Sequence, residues 1–190
     1  MGKLVVTEFI TLDGVMQDPG GAEKDTFDRG GWAFQFDRGS EGDTFKFDEL
    51  MAADAQLLGR VTYEGFAKAW PAMNDNPFGE KMNSMPKVVV SSTIENPTWP
   101  NTTVLDGDLA EGVGKLKEQY EGDILVAGSA QLVQGLLAAG LVDELHLMVF
   151  PVLLGAGKKL FADTAGTAPF DVTETRQSGE TVILVLTRKS

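Results

Sequence analysis

The chain has 190 residues, 43% hydrophobic and 23% charged, a balance that suits one globular domain spanning 1–190. Its 16 Lys and Arg against 28 Asp and Glu leave a net charge of −12, and the densest basic cluster is only Lys158–Lys159, which argues against nucleic acid or an anionic membrane as partner. The absence of cysteine removes disulfides, thiolate nucleophiles and most structural zinc sites, and a single histidine, His146, excludes a histidine-based metal cluster, so no metal is expected.

The N-terminal stretch MGKLVVTEFI is too short and, with Glu8, too polar for a signal peptide. No window approaches the ~20 apolar residues of a membrane helix. A cytoplasmic protein without membrane association is the expectation.

Residues 3–10 (KLVVTEFI) read as a buried strand, and TLDG at 11–14 as a turn. Residues 17–43 are rich in glycine and acids and lack periodicity. A loop of that length in a compact domain is usually functional or mobile, and its aromatics Trp32, Phe34 and Phe36 either cap a core or line a pocket. A helix is expected over 44–54, with Phe47, Leu50, Met51 and Asp54 at helical spacing. AQLLG at 55–59 is a short strand, followed by a helix carrying Tyr63, Phe66, Ala67 and Trp70, with Thr62 as its cap and Pro71 as its stop. Phe78, Met82 and Met85 mark a further short helix.

KVVVSS at 87–92 and TTVL at 102–105 are strands. Leu109, Val113, Leu116 and Tyr120 mark an amphipathic helix. Strands follow at 124–127 and 144–150 around a helix at 130–139. The stretches DVTETRQ and TVILVLTRK, joined by SGE, form a closing hairpin. Strands alternating with helices and ending in a hairpin imply an α/β fold, with a mostly parallel sheet flanked by helices and an antiparallel edge. His146 lies in ELHLMVF, where a structural role within the strand competes with a Ser-His-Asp arrangement.

Three strand-to-helix or strand-to-loop junctions carry residues suited to phosphate. In LLGRVTYE, Gly59 allows close backbone approach, Arg60 supplies a planar donor and Thr62 a hydroxyl. In VAGSAQL, Gly128 permits a tight turn and Ser129 stands at a helix N-terminus, where unpaired N–H groups attract anions. VVVSST offers Ser91, Ser92 and Thr93. Each junction has a plain alternative as a turn or a cap. In a parallel sheet all three fall at the carboxyl edge, where open α/β folds bind ligands. No G-x-G-x-x-G follows the first strand and no G-x-x-x-x-G-K-[ST] is present.

The ordered set ITLDG, LLGRVTYEGFAKAWP, KVVVSST, ILVAGSAQLVQGLL and DELHLMVFPVLLGAGKKLF resembles the dihydrofolate reductase-like family related to the C-terminal reductase domain of the bifunctional riboflavin biosynthesis enzyme, over roughly residues 3–188. The resemblance implies a dihydrofolate reductase-like fold with NADPH across the carboxyl edge of the sheet. It assigns Gly59, Arg60 and Thr62 to cofactor phosphates, and Ser91 and Ser92 to the adenosine phosphate. Gly128, Ser129 and Ala130 hold the pyrophosphate, with Leu132 close by, and the neighbourhood of Phe9, Asp13, Gly14 and Met16 receives the nicotinamide. Ser129 and Ala130 replace the Gly and Arg more usual in such turns, and no basic residue stands beside Ser91–Ser92, so NADH stays open beside NADPH.

Hydride transfer leaves the protein to position the cofactor and supply a proton. Counting back from Gly59–Arg60 by the family's interval reaches Asp43, an acid candidate whose alternative role is to cap the helix ahead of Thr44. Lys158 or Lys159 meets an anionic substrate group or is simply solvated. The expectation is an NAD(P)H-dependent reductase of a small pterin-, folate- or flavin-precursor-like heterocycle, a homodimer by resemblance. The alternative is a non-catalytic nucleotide- or pterin-binding homodimer on the same fold.

Overall fold

The computed structural model describes residues 1–23, 25–161 and 167–189; Lys24, inside the loop expected at 17–43, lies outside them. Eight strands form one sheet in the order β4-β3-β2-β5-β1-β6-β8-β7. These are β1 (Leu4–Thr11), β2 (Ala55–Gly59), β3 (Lys87–Val90), β4 (Thr102–Leu105), β5 (Ile124–Val126), β6 (Glu144–Phe150), β7 (Phe170–Ser178) and β8 (Thr181–Arg188). The first six in spatial order pair in parallel, and β8 and β7 close the sheet antiparallel. The α/β class with an antiparallel C-terminal hairpin is therefore as the sequence pattern implies.

Alternation along the strands sorts the core into two layers, because successive side chains point to opposite faces. Leu4 and Val6 of β1 join Leu57, Ile124 and Val126 under α4 (Leu109–Gln119) and α5 (Ala130–Ala138). Val5, Leu58, Leu125 and Val89 pack on the other face with α1 (Gly39–Ala52), α2 (Arg60–Ala69) and α3 (Pro77–Ser84). A third cluster, Trp32, Ala33, Met148, Phe150 and Ile183, seals the hairpin end. Two of the loop aromatics thus cap the core. Trp32 is fully buried, its indole N–H donating to the Gln17 carbonyl at 2.8 Å, and Phe36 stacks edge-on to Phe150. Phe34 is exposed.

Helix α1 begins at Gly39, five residues before the start read from its periodicity. Its cap is not local. The Ser178 hydroxyl accepts from the Gly42 N–H at 2.7 Å and donates to the Arg38 carbonyl at 2.6 Å, reaching across from the β7–β8 hairpin. Gly39 and Gly42 allow that approach; a Cβ on Gly39 would stand 2.8 Å from the Gly179 nitrogen. Asp43 is consequently not the cap. It lies inside the helix, exposed, in an ion pair with Arg38 at 2.6 Å. Helix α2 likewise starts earlier than read: Gly59 holds the N-cap position and Thr62 sits within the first turn.

Lys87, at the start of β3, is 1% exposed. Its ammonium donates to the carbonyls of Met82, Asn83 and Met85 at the end of α3 and stands 4.4 Å from the Trp99 ring centre. These orphan carbonyls of a helix C-terminus are thereby satisfied, while burial pushes the lysine pKa down to about 8.

Ser178→Ala removes the two hydrogen bonds that anchor α1. The expected loss is about 1–2 kcal/mol in urea unfolding, with faster amide exchange at Gly42. An unchanged midpoint and unchanged exchange would show that the hairpin does not cap the helix.

Candidate functional site

The parallel strands deliver their C-terminal turns to one edge. There β2 and β5 are neighbours, and the turns after them interlock. The Gly59 N–H donates to the Gly128 carbonyl at 3.1 Å. A Cβ on Gly59 would collide with the Ser129 hydroxyl and stand 2.8 Å from the Ser129 nitrogen. The Gly128–Ser129 peptide bond is cis, and Gly128 has φ 92°, a backbone setting that favours glycine. A Cβ on Gly128 would stand 2.6 Å from the Thr62 hydroxyl, 3.4 Å from the Met16 methyl and 3.6 Å from a carboxyl oxygen of Glu8. Five of the residues singled out from the sequence, Gly59, Thr62, Met16, Gly128 and Ser129, therefore meet in one place, and α2 and α5 both start there. Ser129 holds the α5 N-cap position, and no side-chain capping bond occupies its hydroxyl.

The other expected residues lie around this cradle. Arg60 follows Gly59 and forms an i,i+4 ion pair with Glu64 at 3.0 Å; both side chains are about half exposed. Val90 is the register partner of Gly59, so Ser91 and Ser92 leave β3 beside Arg60. The Ser91 hydroxyl accepts from the Thr93 and Ile94 N–H groups at 3.1 Å each and so shapes its own turn, while Ser92 is exposed. Ala130 and Leu132 are buried in α5, within the core under the turn.

Asp13 is a brace. Its carboxylate accepts from the Thr11 hydroxyl at 2.6 Å and from the Leu154 and Gly155 N–H groups at 3.2 and 2.8 Å. The Thr11 bond chiefly, with help from the Gly155 and Leu154 amides against some desolvation, holds its pKa down to about 2. Gly14 (φ 78°) and Met16 tie the loop after β1 to the 158–160 segment through backbone hydrogen bonds. Lys158 and Lys159 contribute their backbones to these ties and expose their side chains.

Sequence reading passed over Glu8, treating it as a break in an apolar run. It is 8% exposed in the central strand, and its Oε1 has no hydrogen-bond partner among the described residues. Desolvation pushes its pKa up to about 8; Lys46 acts against this and Glu49 with it. An acid amid a β-branched, both-face-buried strand is the signal that marks such a site.

A second polar group lies on the opposite face of β1. The Glu49 carboxylate of α1, 8% exposed, accepts from the Thr7 hydroxyl at 2.6 Å, pairs with Lys46 and stands 3.1 Å from His146 Nδ1. Burial pushes Glu49 up, but the Lys46 charge and the bonds from His146, Lys46 and Thr7 outweigh it and leave its pKa below the usual range. His146 Nε2 faces Glu144 at 3.3 Å, and Lys3 completes the row at 2.7 Å from Glu144. Both ring nitrogens of His146 thus face carboxylates and neither faces a serine, so the triad arrangement is not formed. Phe9 stands over this group, with the Arg38 guanidinium 5.3 Å and the Lys46 ammonium 5.2 Å from its ring centre. Asp43, through Arg38, is at the rim of the same place.

Residues 2–184 match the family described as the RibD C-terminal domain. The chain belongs to that family. The Bacillus subtilis (strain 168) protein YyaP is 29% identical over 189 residues, covering 97% of this chain and 93% of YyaP. Among solved structures, a Shewanella sp. PV-4 protein named for riboflavin biosynthesis superposes with a TM-score of 0.76 at 22% identity, covering 99% of both chains. Dihydrofolate reductase of Enterococcus faecalis, in complex with NADP(H), superposes with a TM-score of 0.58 at 16% identity, covering 100% of this chain and 98% of that one. At such identities the two structures establish a shared dihydrofolate reductase-like fold. No described helix is long and apolar enough to cross a membrane.

Between about pH 4.5, the ordinary value, and about 8 the folded state holds a proton on Glu8 that the unfolded chain has released, so the stability fully present below about 4.5 is lost progressively as pH rises toward about 8. Glu8→Gln removes this dependence. In urea unfolding the variant is expected to match the wild type near pH 5 and to exceed it at pH 8 by on the order of a few kcal/mol. Parallel pH curves would refute a buried acid at Glu8.

Proposed function

We propose that the protein is an NAD(P)H-dependent reductase of a small heterocycle of the pterin, folate or flavin-precursor kind. The observation that carries this reading is the interlocked pair of turns at Gly59 and Gly128–Ser129. Side chains are absent just where two helix starts converge at the carboxyl edge of a parallel sheet, which leaves backbone N–H groups for a pyrophosphate. The cradle fits a dinucleotide in its donors as well as its shape: the Thr62 and Ser129 hydroxyls are at its wall, and Arg60, Ser91 and Ser92 lie toward the adenosine side. Phe9, Met16 and Gly14 border the nicotinamide side, with Asp13 holding their loop.

The bound nicotinamide supplies the hydride, and the chain supplies placement and a proton. Two places offer acid groups beside Phe9. Asp43 stands at the solvent-facing rim, bound to Arg38. The Glu49–His146 pair lies beneath, shielded from water. Phe9, flanked by Arg38 and Lys46, offers an aromatic surface and positive charge to a flat, electron-rich ring. The reading includes a homodimer in a cytoplasmic setting.

Titration with NADPH and NADH, followed by tryptophan fluorescence, tests this. Binding is expected at submillimolar concentration, and oxidation of the reduced cofactor is expected with at least one member of a panel of pterins, folates and pyrimidinones. Absence of binding by both cofactors ends the reductase reading, and binding without oxidation favours a non-catalytic nucleotide- or pterin-binding homodimer. Arg60→Ala is expected to weaken NADPH about tenfold or more through loss of a charged phosphate contact, and NADH much less; equal loss rejects Arg60 as the 2′-phosphate partner. Sedimentation as a monomer at micromolar concentration would rule out the homodimer.

A further inference from the structure

Glu8 breaks a rule of strand composition, and its Oε1 has no hydrogen-bond partner among the described residues. Leu4, Val6 and Ile10 stand in the same row and join the core, and a Leu or Val at position 8 would complete it. Instead the chain keeps a carboxyl group that is 8% exposed, with an oxygen that no described residue bonds. A buried polar group without a partner is costly. That oxygen lies at the turn after β5, 3.6 Å from the place a Gly128 Cβ would take, beside the Thr62 hydroxyl and the Met16 methyl.

A carboxylic acid presents one O–H donor beside one carbonyl acceptor, and a primary carboxamide presents an N–H donor beside a carbonyl acceptor. The two pair through a pair of parallel hydrogen bonds. The ring end of a nicotinamide cofactor carries such a carboxamide; its phosphates, on the reading above, occupy the Gly59 and Gly128–Ser129 turns. We propose that Glu8, in its acid form, is the residue that recognises the carboxamide of a nicotinamide cofactor. The proposal rests on the reductase reading and deepens it. Burial, which favours the neutral acid, is consistent with it. The group fixes which edge of the ring turns toward β1, and with it the face of the ring turned to the substrate beside Phe9.

The test uses three forms of the protein, wild type, Glu8→Gln and Glu8→Leu, and three ligands. The ligands are NADP+, its 3-acetylpyridine analogue, in which the carboxamide is replaced by an acetyl group, and 2′-phospho-ADP-ribose, which lacks the ring. Affinities are measured by calorimetry, and folding is checked by circular dichroism and thermal melting. The wild type is expected to prefer NADP+ over the analogue about tenfold or more. Glu8→Gln, whose amide makes the same paired bonds, keeps most of that preference. Glu8→Leu loses it, while melting at a higher temperature and binding 2′-phospho-ADP-ribose as the wild type does. An undiminished preference in Glu8→Leu overturns the proposal and leaves the reductase reading standing. Equal loss of all three ligands in Glu8→Leu also overturns it, since Glu8 would then serve the fold of the cradle. Failure of the wild type to bind any of the three overturns both.

Discussion

The carboxyl edge of this sheet is organised by a missing pair of side chains. Gly59 ends β2 and Gly128 follows β5; the missing Cβ of Gly59 lets the two turns share a hydrogen bond and sit in contact, and that of Gly128 leaves room for the Thr62 hydroxyl. That approach sets α2 and α5 starting side by side, with the positive ends of both helices turned to one location. Thr62, one turn into α2, and Ser129, at the start of α5, are carried to the same spot by the same constraint. Glu8 reaches it from β1, on the other side of β5, and Met16 from the loop that follows β1. A side chain at Gly59 would press on the Ser129 backbone nitrogen, and one at Gly128 would meet the Thr62 hydroxyl from a left-handed backbone that disfavours any side chain.

Strand β1 divides the chemistry of the protein between its two faces. Glu8 shares the face of Leu4 and Val6, toward the α4–α5 layer, and no described residue bonds its Oε1. Thr7 and Phe9, on either side of it in sequence, point toward α1 and enter a network in which Lys46, Glu49 and His146 satisfy one another. The contrast is instructive. Buried charges that are paired and hydrogen-bonded can be borne at little net cost, whereas an unpaired one raises its own pKa and becomes neutral. The first arrangement is a rigid wall. The second is an open valence, and that difference, more than polarity as such, separates a structural polar group from a ligand-facing one.

Most strands and helices were legible because their information is local: β-branched runs at β3 and β8, helical spacing in α2 and α4, glycine turns before the helices. The start of α1 was not, because the group that caps it, Ser178, lies 136 residues away and the glycines that admit it look like loop. Thr62 misled for the opposite reason: a good capping residue stood near a helix start whose cap position the close-approach glycine already held. The turns at Gly59 and Gly128 could be singled out, since glycine before a helix is a local sign. That they meet, and that Glu8 and Met16 join them, depends on which strands are neighbours, a property of the whole sheet. His146 showed the same limit. Its place in a strand was readable, but its partner Glu49 comes from a helix 97 residues earlier.

The position of β1 also governs the order in which the molecule can be made. β1 leaves the ribosome ahead of both strands that flank it, β5 and β6, whose residues, 124–126 and 144–150, follow more than a hundred residues later. Until then β1 is an apolar strand with two open edges and a half-built sheet beside it, the kind of segment that pairs with the wrong neighbour. An acid at its centre and lysines near its start and on α1 keep that strand from being uniformly greasy during the wait. Vectorial synthesis therefore gives Glu8 a second setting, in the nascent chain, where its charge is fully hydrated and costs nothing.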